Sequence, residues 1–278
     1  MILPFVGAFL EATGVIIEKR MLKLRGLNFK NYTVFSFLAI VLVSIPFLFF
    51  TWRLDSGAFE EGHLLILGAV ILCSILANLL VYYALKREDV TQLEPIWLMQ
   101  PLFTVLFAVL FYPAERNGFL FFLAMIAGFV LIISHLKRSH LYFNRYLVAG
   151  TLGSLFFAIE LVLSKSILEF YSPFTFYFIR CLGIFIITLL LFRPSVKVLN
   201  GKLSLWFLLI GLLWVLYRAI IYYAYGNIGI VLTTMVFILS PVLMYIFAVL
   251  FLKEKPSLKQ TISMIIILIC VALAFINN

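Results

Sequence analysis

Charge is what this chain has least of. Only 12% of its 278 residues are Asp, Glu, Lys or Arg, and 65% are hydrophobic. A soluble domain carries about 25% charged and about 45–50% apolar residues, so no water-facing surface can be built from this mixture. Cysteine is scarce too: Cys73, Cys181 and Cys270 each sit inside an apolar run at no metal-like spacing. An odd number so placed argues against a disulfide framework and a zinc site. The three histidines, His63, His135 and His140, lie near the ends of apolar runs in no ligand pattern. There is no Gly-rich phosphate loop, no Gly-x-Ser-x-Gly and no His-Glu-x-x-His, which disfavours catalysis and gives no reason to expect ATP or a cofactor. The first apolar segment lacks a basic start, carries Glu11 and has no small-residue cleavage site. It therefore reads as a first span rather than a removed signal peptide. Nothing alternates with the period of a barrel strand. Helices are the other structure that satisfies its own backbone in lipid.

What is present is written twice. Pro101-Leu102-Phe103-Thr104-Val105-Leu106-Phe107-Ala108-Val109-Leu110-Phe111 returns, 140 residues later, as Pro241-Val242-Leu243-Met244-Tyr245-Ile246-Phe247-Ala248-Val249-Leu250-Phe251. The same offset lays Tyr222-Tyr223-Ala224 over Tyr82-Tyr83-Ala84. A fixed-offset match in two separate segments signals an internal repeat. The aligned prolines and Tyr-Tyr-Ala carry most of that weight, because Leu and Phe match cheaply in so apolar a chain.

The expected fold is an all-α membrane protein of ten spans: about 2–22, 33–52, 63–85, 91–111, 118–136, 147–168, 173–192, 203–225, 230–252 and 257–276. A span needs roughly 20 residues. The polar stretch 137–145 divides the chain into two five-helix halves, 1–138 and 145–278. An odd number of spans per half enters the second half upside down, the inverted repeat of many secondary transporters. Of the 21 Lys and Arg, 16 follow spans one, three, five, seven and nine, three (Arg53, Arg116, Lys165) lie on the other side, and Arg180 and Arg218 fall within spans. That asymmetry places the odd loops in the cytoplasm and both termini outside, and it accounts for the net charge of +9 without nucleic acid.

An ionisable residue inside a span costs a few kcal/mol even on the lenient insertion scale and marks a functional hypothesis. Four qualify: Glu11, Glu160, Arg180 and Arg218. Glu11 shares a helical face with Gly7, Gly14 and Glu18, a small and acidic surface that a ligand or helix can approach closely. In the sixth span Gly153, Phe157, Glu160 and Ser164 form the equivalent face, the carboxylate having moved from the Glu11 position to that of Gly14. Glu11 and Glu160 are the expected coupling-ion residues, since a carboxylate in an apolar cavity suits a proton site; a structural hydrogen bond is the alternative for each. In the repeat register Arg218, Trp214 and Tyr222 correspond to Asn78, Ser74 and Tyr82. Arg218 meets either a substrate carboxylate or an internal partner, Glu160 or Glu11. Arg180 is expected to be structural. Trp97, Gln100 and Pro101 in the fourth span answer to Phe237, Ser240 and Pro241 in the ninth. The expected substrate-binding set is therefore Glu11, Asn78, Tyr82, Trp97, Gln100, Glu160, Trp214, Arg218, Tyr222 and Ser240, with Trp97, Trp214 and Tyr222 stacking on the solute.

The Tyr-Ala-Leu segment before a Pro-containing span, and the run Pro241-Val242 through Phe247-Ala248-Val249-Leu250-Phe251-Leu252-Lys253-Glu254-Lys255-Pro256 before the last span, resemble the EamA-type drug/metabolite transporters. The first half departs from that ending with Tyr112-Pro113-Ala114-Glu115-Arg116. Gly7-Ala8-Phe9-Leu10-Glu11-Ala12-Thr13-Gly14, with Lys19 beyond, also resembles the first helix of the small multidrug resistance transporters. That resemblance implies a membrane glutamate at Glu11 that binds proton and cation in turn, with Ile96-Trp97 matching an Ile-Trp near the fourth span. The EamA likeness implies cytoplasmic termini, against the loop count. Together these lead to a secondary transporter in the cell membrane, not an enzyme. It would move a small metabolite, amino acid or amphipathic compound by alternating access, with the lipid bilayer as its other partner. A membrane enzyme or lipid-handling protein using the same cavity, or a passive channel, is the alternative.

Overall fold

The computed structural model describes residues 3–24, 27–87, 99–135, 145–195 and 199–240, with isolated positions at 243 and between 262 and 276. Among the described residues the regular structure is helical: α1 (Leu3–Leu22), α2 (Phe29–Thr51), α3 (Glu61–Arg87), α4 (Met99–Phe111), α5 (Gly118–His135), α6 (Arg145–Lys165), α7 (Pro173–Phe192), α8 (Gly201–Asn227) and α9 (Ile230–Phe237). Five of these stretches, Phe29–Thr51, Glu61–Arg87, Val148–Lys165, Pro173–Phe192 and Gly201–Asn227, are long and apolar enough to cross a membrane. The expected count of ten is not reached among the described residues. The tenth span and most of the second half of the ninth lie largely outside them, as does the start of the fourth.

Local chemistry fixes the helix ends. Asn28, Ser172 and Asn200 each accept a bond from the amide three residues on, satisfying donors that lipid cannot. Pro173 opens α7 at the one place where its missing N–H costs nothing. Glu115 does the same work from a distance: its two carboxylate oxygens accept from the amides of Ile230 at 2.7 Å and Val231 at 3.0 Å, tying the turn after α4 to the start of α9. Gly229 precedes that start with φ at 84°, and a Cβ there would lie 2.8 Å from the Glu115 carboxylate. Hydroxyls inside helices bond back to the preceding turn, as Ser44 does to Ile40, Ser74 to Val70 and Thr188 to Ile184.

Each half packs mainly on the other. The largest contacts pair α3 with α6, α2 with α7, α1 with α8, α2 with α8 and α4 with α6, followed by α4 with α9. Exchanging span n for span n+5 turns the α1–α8 pair into α3–α6 and leaves α2–α7 and α4–α9 unchanged. Small residues permit the approach: Ala8, Ala12 and Ala158 are wholly buried, and a Cβ on Gly153 would lie 3.2 Å from the Ala77 carbonyl oxygen. The outer surface is the reverse, with Phe49 82% and Phe50 91% exposed beside many exposed Leu and Ile. So large an apolar surface fits a lipid environment.

Gly211 gives a direct test of the interface. A Cβ there would meet the Ala39 backbone at 2.9 Å, whereas one on Gly68 would meet nothing within 4 Å. Gly211→Val is expected to destabilise the protein by about 1–3 kcal/mol. Gly68→Ala is expected to leave stability unchanged or raise it by up to about 1 kcal/mol. Thermal melting in detergent checks both.

Candidate functional site

A cavity of about 150 Å³ lies where the halves meet. α1 contributes Glu11 and Glu18, α3 Asn78 and Tyr82, α4 Gln100 and Thr104, α6 Phe157, α7 Tyr177 and Arg180, and α8 Trp214, Tyr217 and Arg218. Thr234 and Phe237 of α9 and Ser240 just beyond it complete the lining, and α2 adds Phe37 and Ile40. α2 and α7 thus line the cavity as well. They are there because they pack on each other across the interface.

Two charged clusters bound the cavity along α8. In the first, Glu160 is wholly buried between two guanidinium groups. Arg180 Nη1 donates to Glu160 Oε1 and to Tyr222 Oη, and Arg218 Nη1 donates to Glu160 Oε2 at 3.2 Å. Tyr222 Oη in turn donates to Glu160 Oε1 at 3.1 Å, and Ser164 Oγ does so at 3.2 Å. The arginines also lie against rings, Arg180 5.0 Å from the centroid of Tyr177 and Arg218 5.7 Å from that of Phe157. Phe157 holds the position that corresponds to Glu11 in the other half.

The second cluster is built around Glu18, which is 4% exposed. Its Oε1 accepts from Tyr82 Oη at 3.0 Å, Tyr32 Oη at 3.1 Å and Trp214 Nε1 at 3.0 Å. These donors come from α3, α2 and α8, so four helices meet at one oxygen. Glu11 stands between the clusters on α1, beside the side chains of Tyr217 and Ser240 and within the field of Arg218. Ser240 Oγ donates to the Ala8 carbonyl at 3.2 Å, which ties the end of the ninth segment to α1.

Of the residues the sequence singled out, Glu11, Asn78, Tyr82, Gln100, Trp214, Arg218 and Ser240 line this one cavity. Glu160 and Tyr222 stand behind the wall, because their polar atoms are taken up by Arg180 and Arg218. Tyr222 is 1% exposed and so presents no face for stacking on a solute. Trp97 lies outside the described residues. Arg218 takes the internal partner, Glu160, rather than Glu11. Sequence reasoning left Glu18, Tyr32, Tyr217 and Arg180 out of the site. Glu18 carried a signal, the helical face it shares with Glu11; the partners of Arg180 are 20 and 42 residues away and carried none. Among the described residues no group of His, Cys, Asp and Glu is placed to hold a metal ion.

A helical protein with a lipid-facing apolar surface and a charged cavity between two packed halves is a multi-pass integral membrane protein with an internal cavity. The chain belongs to the EamA-like transporter family, whose model matches it twice, at residues 1–134 and 144–276. It is thus a membrane transporter of the drug/metabolite superfamily. A solved crystal structure shares the fold with a TM-score of 0.74 at 15% identity, covering 99% of this chain and 96% of its own. No curated protein matches by sequence.

Removing one partner of a buried ion pair leaves an uncompensated charge and costs about 3–5 kcal/mol. Glu160→Leu, which strands two arginines, is expected to lose that much in chemical denaturation in detergent. Glu11→Leu, which removes a carboxylate that forms no ion pair among the described residues, is expected to lose clearly less.

Proposed function

We propose that the protein is a secondary active transporter that moves a small organic solute by alternating access, with Glu11 as the residue that couples transport to a proton or cation. The carrying observation is that one cavity is walled by both halves at once, with Glu11 and Glu18 from the first half facing Arg180 and Arg218 from the second. Rocking of one half against the other changes which side of such a cavity is open. Its volume resembles that of an engineered protein cavity of about 150 Å³ that takes up benzene, so the solute in this conformation is of single-ring size. Aromatic walls of Phe37, Tyr82, Phe157 and Phe237 suit an apolar body, and Glu11, Gln100, Asn78 and Arg218 suit its polar groups.

A thermal-shift screen of purified protein against amino acids, nucleosides, sugars and small amines identifies the solute, because a ligand at about 100 times its Kd stabilises the fold by about 2.7 kcal/mol. In proteoliposomes, Glu11→Gln is expected to bind that solute but to lose gradient-driven accumulation at least roughly tenfold, about 1.4 kcal/mol. Accumulation at the normal rate with unchanged pH dependence would remove Glu11 from this role.

A further inference from the structure

The three buried glutamates differ in what balances them. Glu160 has two arginines. Glu11 has none in contact but lies in the field of Arg218. Glu18 has only neutral donors, two phenols and one indole. Among the described residues no basic side chain forms an ion pair with it. Lys19 Nζ, next to it in sequence, donates to the Leu85 carbonyl at 2.8 Å, and Lys86 Nζ donates to that of Leu27. A buried carboxylate without a positive partner is among the most costly groups a protein can hold. All three donors converge on Oε1, none of them reaches Oε2, and Glu18 is on the cavity wall.

We propose that Glu18, with Tyr32, Tyr82 and Trp214, forms a second binding site for positive charge in this cavity. Its occupant is a proton or the ammonium group of a cationic solute, held at Oε2 while the three donors fix Oε1. The rings add to the charge: Tyr32 and Tyr82 meet edge to face at 4.9 Å and Trp214 completes a wall of π-systems around the carboxylate. Glu18 lies seven residues beyond Glu11 on the same helix, about 10 Å along its axis. The two carboxylates are therefore successive stations on one path, from the level of Arg218 towards the end of the cavity near Leu85. The other charged groups that line the cavity with Glu18 are Glu11 on its own helix, Arg180 on α7 and Arg218 on α8. The groups in contact on α2, α3 and α8 are the neutral donors already named. The proposal deepens the transport reading, and its test needs no transport.

The test is infrared difference spectroscopy of the full-length protein in lipid, in a Glu11→Gln background so that the other cavity carboxylate gives no band, acidified from about pH 9 to about pH 5, with and without benzylammonium as the cationic probe. The expected result is a carboxylic-acid carbonyl band that grows on acidification, is missing in Glu18→Gln, and shifts its midpoint in Tyr82→Phe, which keeps the carboxylate but removes one donor. Suppression of the band by benzylammonium, with no effect of neutral benzyl alcohol, identifies the ammonium as an occupant. A band that ignores the amine assigns the site to the proton. A band that persists in Glu18→Gln, or that Tyr82→Phe leaves in place, overturns the proposal. So does a spectrum with no acid band and no response to the amine. Loss of transport in Glu11→Gln with an intact Glu18 band, or the reverse, separates this site from the reading it builds on.

Discussion

The structure depends on where it puts charge in a low-dielectric interior. Moving one carboxylate-sized ion out of water carries an idealised cost of order 20 kcal/mol, still several after relaxation. Glu160 meets that cost with two arginines, a phenol and a hydroxyl, and in doing so fixes three helices. α6 supplies the carboxylate, α7 Arg180, and α8 both Arg218 and Tyr222. With α8 held at this level, Trp214, two turns earlier, reaches Glu18 on α1 across the boundary between halves. The cavity is the space left between these two anchors.

The anchors differ in kind, and the difference bears on function. In the Glu160 cluster both carboxylate oxygens accept from arginine and Glu160 itself is wholly buried. The cluster is suited to hold its shape while the rest moves. The Glu11 and Glu18 side is acidic, open to the cavity and short of positive partners. A chamber with one end where two arginines share a single carboxylate, and another where carboxylates have no arginine in contact, is charged asymmetrically. The helix interface around it, with glycine and alanine at the closest approaches and α2–α7 and α4–α9 contacts that map onto themselves when the halves are exchanged, supplies a surface on which two arrangements can have similar energy.

Much of this was legible in the chain. Hydropathy located α1 to α3 and α5 to α8, and the end of α4, to within a few residues, because an apolar run near 20 residues has few alternatives in a bilayer. Charged residues inside spans pointed to the cavity for the same reason: Glu11 and Arg218 had nowhere else to go. What could not be read was pairing. The choice between Glu160 and Glu11 as partner of Arg218 depends on packing between α6 and α8, and Arg180 looked like a structural residue because its partners are remote in sequence. Trp214 and Tyr222 were expected to stack on a solute on the strength of residue type alone. Folding gives the indole N–H to Glu18 and the Tyr222 hydroxyl to the arginine cluster. Glu18 was visible only as a neighbour of Glu11 on one face, and its three donors come from three other helices.

The central claim is that this one cavity opens to each side of the membrane in turn. Its most direct test is accessibility. In a background with Cys73, Cys181 and Cys270 replaced, single cysteines at Gln100 and Ser240, on opposite halves of the wall, are labelled in vesicles with a membrane-impermeant maleimide applied from each face. The account predicts that each position reacts from either face, and that acidification or bound solute raises labelling from one face while lowering it from the other. Labelling from one face alone under every condition, or from both faces with no reciprocal change, would contradict it.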